Sequence, residues 1–238
     1  MRMHAADVGG DSLVMAAEAS LVVLAAPVRA NIGVLRELSE FVPGAAVVTD
    51  VGSTKAEIVA AAETLPERLR FVGGHPLAGG ALGGISEARA ELFDGRPWLL
   101  TPDGSTDTAS LASLRRFVEG IGARPVEIPA AEHDRMVAYL SHLPQLAVTA
   151  LMHVVGESVG EEGLALAGRG LRDTTRLASS PPGIWRDIVA TNPAQLADAL
   201  DALIRLLTQF RAQVGQPGPG FDEIFASAAR WKQKLDGR

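Results

Sequence analysis

The sequence predicts an α/β chain, with a mostly parallel sheet in its first half and helices alone in its second. Three observations carry this. Up to residue 129, short apolar runs of strand length alternate with amphipathic stretches of helical period. After Pro129 the apolar residues recur only at helical spacing. A serine in the turn after one predicted strand and a histidine directly after the next lie on the rim where open parallel sheets bind ligands.

Taken in order, residues 1–12 have no firm pattern and 13–19 read as a helix end. Leu21–Ala26 is a buried strand stopped by Pro27, and 29–41 is a helix with Ile32, Leu35 and Leu38 on one side. The apolar run Ala45–Thr49 follows Pro43 and Gly44 as a second buried strand. Asp50, Gly52 and Ser53 turn the chain, and Ser53 or Thr54 is placed to cap a helix beginning near Lys55. Read as residues alone, Ser53 and Lys55 also fit a capped helix whose first lysine is exposed. Phe71–Gly74 is the third strand, with His75 directly after it. A short helix over 85–93, a strand at Trp98–Leu100 ended by the turn TPDG, a helix over 107–119 and a last strand at Pro125–Ile128 complete the layer.

Residues 131–155 form one long helical pattern that contains Pro144, so a kink near Leu140 is expected. Further helices are predicted over 161–168, 183–191, 194–214 and 221–235. Pro193 suits a first turn, and GQPGPG at 215–220 reads as a hinge. The division between an α/β domain, 1–129, and a helical domain, 130–238, therefore falls at Pro129.

The 238 residues suffice for one large or two modest domains with real cores. A net charge of -6 with few aromatics argues against nucleic-acid and acidic-membrane partners. Without cysteine there is no disulfide framework, thiolate nucleophile or sulfur-ligated metal, and a reducing, cytoplasmic setting is expected. The apolar run 13–28 is too short to cross a bilayer, and Asp7 and Asp11 argue against a secretory leader. The five histidines make no zinc spacing, so no metal is expected and a metal-dependent hydrolase is disfavoured.

Ser53 and His75, on one rim, are a hydroxyl and an imidazole suited to proton transfer. The glycines before His75 permit close approach of another molecule or unusual backbone angles. Read as residues alone, His75 is equally at home in a structural turn. His133 suits a cap or surface position, and His142 helix packing. Arg169, Arg172 and Arg176 offer guanidinium forks for carboxylates, or internal ion pairs such as Arg172–Asp173 and Arg176–Asp187.

Together DVGSTK at 50–55, FVGGHPLAG at 71–79, LFDG at 92–95, LTP at 100–102, EHD at 132–134, SHLPQ at 141–145, RGLRDTTRLASSPPGIWRDI at 169–188 and Asn192 resemble the prephenate/arogenate dehydrogenase family of tyrosine biosynthesis. The resemblance implies a Rossmann-like NAD(P)-binding domain followed by an all-helical dimerisation domain, and hence a homodimer. It implies NAD or NADP as cofactor and a small cyclohexadienol carboxylate, prephenate or arogenate, as substrate. It gives His75 the role of base towards the substrate hydroxyl, and Ser53 a hydrogen bond to that histidine or hydroxyl. Arg176 is implied as the carboxylate clamp, and His142 and Gln145 as further substrate contacts. Gln145 stands where many members carry histidine, and it cannot hold positive charge.

The family's strand–GxGxxG–helix would precede Leu21, where only twenty residues stand and VGGD at 8–11 does not match the fingerprint. The sheet is thus expected to be incomplete and the chain N-terminally shortened. Cofactor contacts are then expected from the strand ends at Ala26, Pro27, Asp50 and Gly52. A dimeric remnant that binds a prephenate-like anion or aromatic amino acid without catalysis is the alternative. Another member of the wider hydroxyacid dehydrogenases is disfavoured by GGHP together with RDTTR.

Overall fold

A computed structural model of the chain describes residues 6–79 and 88–237. It divides into two compact units, residues 1–196 and 197–238, so the sequence-based division at Pro129 falls inside the first.

The first unit is built on five strands: β1 (Leu21–Leu24), β2 (Ala46–Asp50), β3 (Leu69–Pro76), β4 (Pro97–Thr101) and β5 (Arg124–Glu127), in spatial order 1-2-3-4-5. β1, β2 and β3 are parallel neighbours, and β4 and β5 are parallel to each other. The β3–β4 pair is antiparallel, with His75 opposite Leu99. Among the described residues β1 has β2 as its one neighbour. β3 is longer than its apolar run and takes in His75, because pairing with β4 satisfies the backbone through Pro76.

Alternation along the strands feeds two cores. Leu24, Val48 and Leu69 pack on one face against α1 (Val28–Phe41) and α2 (Ala56–Ala62), through Leu35, Leu38 and Ile58. Val72, Trp98 and Leu100 pack on the other against Leu114 and Val118 of α3 (Thr108–Gly120). Each such buried aliphatic side chain stabilises the fold by about 1.5–3 kcal/mol. Asp107 caps α3 by accepting from the Ser110 amide at 2.8 Å. Of the helix expected over 85–93, Ala90–Phe93 is a 3₁₀ turn and 85–87 lie outside the described residues.

After β5 come α4 (Ala130–Val137) and α5 (Leu143–Leu164), joined by a π-turn at Ala138–His142. Pro144 causes this join. Its ring would meet the Leu140 carbonyl in an unbroken α-helix, and the wider turn closes instead with the Leu143 amide donating to the Ala138 carbonyl. The kink expected near Leu140 takes this form. Gly160, at φ 64°, interrupts α5 a second time in a conformation that favours glycine. α6 (Arg169–Thr174), a 3₁₀ turn at Arg176–Ser179 and α7 (Pro182–Thr191) follow.

α8 (Pro193–Ala212) runs on into the second unit, which holds α9 (Pro219–Asp236). There Phe210, Phe221 and Phe225 cluster with ring centroids 4.8–6.1 Å apart. Ile204, Leu207, Phe225, Trp231 and Leu235 remain exposed on the single chain. Among the described residues no helix is long and apolar enough to cross a membrane.

Candidate active site

The turn after β2 is set by Asp50. Its carboxylate is fully buried, pairs with the Lys55 ammonium, and accepts the Gly52 amide at 2.8 Å and the Gly74 amide at 3.1 Å. One side chain thus closes the turn and ties it to β3 just before His75. Lys55, expected to be exposed, is 0% exposed and is the largest fully buried side chain among the described residues. The reason is the turn, which aims it inwards at Asp50. Burial lowers its pKa, while the charges of Asp50 and Asp134 raise it.

Neither Ser53 nor Thr54 caps α2. Asp134 of α4 does so from 79 positions away, accepting the Lys55 amide at 2.7 Å and the Ala56 amide at 2.8 Å. A carboxylate on the first amides of a helix is favoured by charge as well as geometry. Thr54 instead meets Thr191 across a 2.7 Å hydroxyl contact, and the Asn192 amide donates to the Asp134 carbonyl at 2.8 Å. The end of α7 is thereby fastened to the start of α2.

His75 and His133, 58 positions apart, are joined by a 2.8 Å contact between Nδ1 and Nε2, and the other ring nitrogen of His133 lies 2.8 Å from Asp134. His133 is therefore a buried interior residue, not a cap or surface group. Burial, assisted by His133, Lys55 and His142, pushes the His75 pKa well below 6.5, so its imidazole is neutral near pH 7.

The GG of GGHP serves packing. A Cβ on Gly73 would lie 2.3 Å from the Thr101 hydroxyl, and one on Gly74 2.5 Å from the Asp50 carbonyl. Neither has positive φ, so close approach to protein, not to a ligand, requires these glycines.

Ser53 and His75 line one cleft of about 520 Å³, with Met136, Leu140, Ser141, Trp185 and Ile188 among its walls. Among the described residues no hydrogen bond joins Ser53 to His75. Arg89 and Arg96 also line the cleft and were not singled out from sequence. Arg96 reaches it because antiparallel β4 begins on the rim where β3 ends. A smaller cavity of about 300 Å³ adjoins, sharing Gly79, Leu140, Ser141 and Trp185, and is lined by Arg176 and Gln145. Arg176 is exposed, and neither Arg172–Asp173 nor Arg176–Asp187 forms an ion pair among the described residues.

Gln145 lines that smaller cavity and is held from behind, while three other expected contacts, His142, Asp50 and Gly52, are buried. Gln145 is 4% exposed, and its amide donates to the Leu177 carbonyl at 2.8 Å and Thr149 at 3.1 Å while Ser180 donates to its oxygen. It is a strut under the Arg176 turn. His142 is 1% exposed, edge-on to Trp185 and absent from the cleft lining, because the π-turn directs it inwards. Asp50 and Gly52 are buried, the first by its internal bonds and the second because a Cβ would lie 2.6 Å from Val28. Ala26 and Pro27 are exposed at the end of β1, where Asn31 accepts from the Ala26 amide at 3.1 Å and donates to its carbonyl at 2.9 Å.

Burial lowers the His142 pKa to about 4, opposed by Asp134. The folded chain then binds fewer protons than the unfolded chain between pH 6.5 and about 4, so stability falls as pH drops through that window. His142→Phe is expected to flatten that part of the pH–stability curve, measured by urea unfolding at stepped pH. An unchanged slope would remove His142 as its source.

Residues 1–127 match the family described as prephenate dehydrogenase, nucleotide-binding domain, and residues 129–226 match prephenate dehydrogenase, dimerization domain. The chain is similar to prephenate dehydrogenase of Bacillus subtilis (strain 168), 37% identical over 203 residues that cover 84% of this chain and 55% of that protein. It therefore spans little more than half the length of that curated relative. Among solved structures it is similar to prephenate dehydrogenase from A. aeolicus in complex with hydroxyphenyl propionate and NAD+ (TM-score 0.87, 29% identity, 96% of this chain and 82% of that one). It is also similar to Synechocystis arogenate dehydrogenase (TM-score 0.80, 30% identity, 95% and 82%).

Proposed function

Since the chain belongs to the prephenate dehydrogenase family, we propose that its cleft carries out the NAD(P)-dependent oxidative decarboxylation of a cyclohexadienol carboxylate, prephenate or arogenate. The observation that carries this is a neutral imidazole, His75, in a cleft that adjoins a cavity lined by an exposed guanidinium, Arg176.

In this reading Arg176 holds a substrate carboxylate, with Gln145 bracing the turn beneath it. Ser53 orients the ring hydroxyl. His75 takes the hydroxyl proton as the C–H bond of the carbinol carbon gives up its hydride, leaving a ring ketone. Loss of carbon dioxide returns its bonding pair to the ring, which becomes aromatic. A bound nicotinamide dinucleotide supplies the hydride acceptor.

The residues present fit the reacting end of that cofactor better than its pyrophosphate. Ala26 and Pro27 are open on the rim beside the cleft turn. At the start of α1, however, the Arg29 amide faces both Asp187 carboxylate oxygens at 3.4 Å, which would repel phosphate. That contact favours a second reading, a dimeric binder of a prephenate-like anion that transfers no hydride. We also propose the division at Pro129 as the functional one, a homodimer formed through the exposed apolar residues of the helical part, and a cytoplasmic setting.

The deciding experiment is reduced-nicotinamide formation with prephenate and with arogenate, NAD and NADP being supplied in turn, on a sample whose mass is read by light scattering. Turnover by a dimer supports the first reading. Substrate binding by calorimetry without turnover supports the second. Arg176→Ala is expected to raise KM about tenfold to a hundredfold, the worth of a lost hydrogen bond to a charged group, with kcat less affected. An unchanged KM would remove Arg176 from the clamp role.

A further inference from the structure

We propose that His133, held by Asp134, is a positioning residue that fixes the ring proton of His75 on Nδ1 and so keeps Nε2 of His75 bare as the acceptor facing the cleft. This rests on the role proposed for His75.

The polarity of the chain of hydrogen bonds follows from its far end. Asp134 accepts two backbone amides at the start of α2, one on each oxygen. Those donors have no other protonation state, so Asp134 is held as an acceptor-only carboxylate. The oxygen that accepts the Lys55 amide also lies 2.8 Å from His133 Nδ1. His133 therefore donates from Nδ1, and as a neutral ring it offers only a lone pair at Nε2. Nε2 of His133 lies 2.8 Å from Nδ1 of His75, so His75 is the donor there. With its one proton at Nδ1, neutral His75 has its lone pair at Nε2.

The fixed amides of a helix start thus select, through two side chains, which nitrogen of a cleft histidine is bare. His133 is 0% exposed and Asp134 2% exposed, so water does not compete for these bonds. Lys55, Asp50 and His142 are the other titratable groups packed around the pair, and none is hydrogen-bonded to either ring in the described residues. In the serine-protease triad, changing the orienting Asp to Asn leaves the geometry intact, gives the wrong tautomer and lowers kcat by about 10⁴. The same logic applies here with one more ring in the series.

The test is a long-range proton–nitrogen NMR correlation on the 238-residue chain labelled with ¹⁵N-histidine, with His75 assigned through the signal lost in His75→Gln. The wild type is expected to show His75 protonated at Nδ1 and bare at Nε2. In Asp134→Asn a single side-chain oxygen is left for two α2 amides and His133 Nδ1, so the His133 proton is no longer fixed at Nδ1 and the His75 proton should spread over Nδ1 and Nε2. His133→Leu keeps the α2 cap and removes the acceptor, so His75 should become a mixture of tautomers. In the turnover assay both variants are expected to lose kcat about 10²–10⁴-fold with KM little changed, whereas His133→Gln, whose carbonyl can accept from His75 Nδ1, should recover part of the loss.

A wild-type His75 protonated at Nε2, or a tautomer unchanged in His133→Leu, overturns the proposal, and His133→Leu decides if Asp134→Asn does not fold. The two readings fail separately. The expected tautomers without any turnover would leave the relay standing and remove the dehydrogenase. Turnover with unchanged tautomers would do the reverse.

Discussion

His75→Asn is expected to lower kcat by about 10²–10⁴-fold, the usual range for removing a general base, while KM and dinucleotide affinity stay close to wild type. Asparagine is the informative replacement. Its amide can still donate towards His133, so the buried hydrogen bond at this position is kept. It has no basic nitrogen where the imidazole Nε2 lies, so only proton acceptance is removed. The volume lost is small and His75 is only partly buried, so unfolding is not the expected cause of lost turnover. The wild-type profile adds a second check. Because the His75 pKa is well below 6.5, the acid limb of kcat/KM should lie below pH 6.5, activity being lost as the base is protonated. Reduced-nicotinamide formation measured across pH tests both statements. A His75→Asn protein with unchanged turnover would take the base role from this residue.

How far such a site could be read in advance depended on whether its parts are local. The strands show themselves as apolar runs between prolines and glycines, and β1, β2, β4 and β5 stand within two residues of the expected ends. Strand direction left no such mark, so the antiparallel β3–β4 pairing, and with it Arg96 at the cleft, was not legible. Ser53, His75 and Arg176 stand out in the sequence because each lies in a recognisable turn or segment, and each lines the cleft or its neighbour. His133 and Asp134 do not stand out, because each acts through a partner brought up by the fold, 58 positions away for His133 and 79 for Asp134, and Lys55 does not because its burial depends on the turn at Asp50. A signal did exist. Asp50 and Lys55 stand five apart around one turn, and His133–Asp134 opens the first helix after the last strand, where it can return to the sheet. Gln145 and His142 were given ligand roles through their motif. The π-turn at Ala138–His142 puts His142 inside the protein, whereas Gln145, in α5, lines the cavity beside Arg176.

Lys55→Met is expected to destabilise the fold by about 3–5 kcal/mol, since it leaves one charge of a buried pair without its partner. Methionine fills nearly the same volume, so the loss is electrostatic and not a cavity. The Asp50 carboxylate keeps its two backbone donors, Gly52 and Gly74, but loses its cation at a position that is 0% exposed. Asp50→Asn strands the ammonium instead, and its deficit has a pH signature. The folded-state pKa of Lys55 is already below 10.5 and falls further without Asp50. Between that value and 10.5 the unfolded chain binds more protons than the folded one, so the stability of Asp50→Asn rises with pH towards 10.5 more steeply than that of wild type. The double variant Lys55→Met with Asp50→Asn should recover much of either loss. It removes both charges, and the asparagine oxygen still accepts one of the two amides, whereas an apolar residue at position 50 would orphan both. Urea unfolding of the four proteins gives the coupling directly. Losses that simply add would mean that Asp50 and Lys55 do not depend on each other. The pair also reaches the chemistry. Lys55 is one of the charges that hold the His75 pKa down, so in Lys55→Met the acid limb of kcat/KM should move to higher pH even where the protein remains folded. A limb that stays in place would confine the pair to stability.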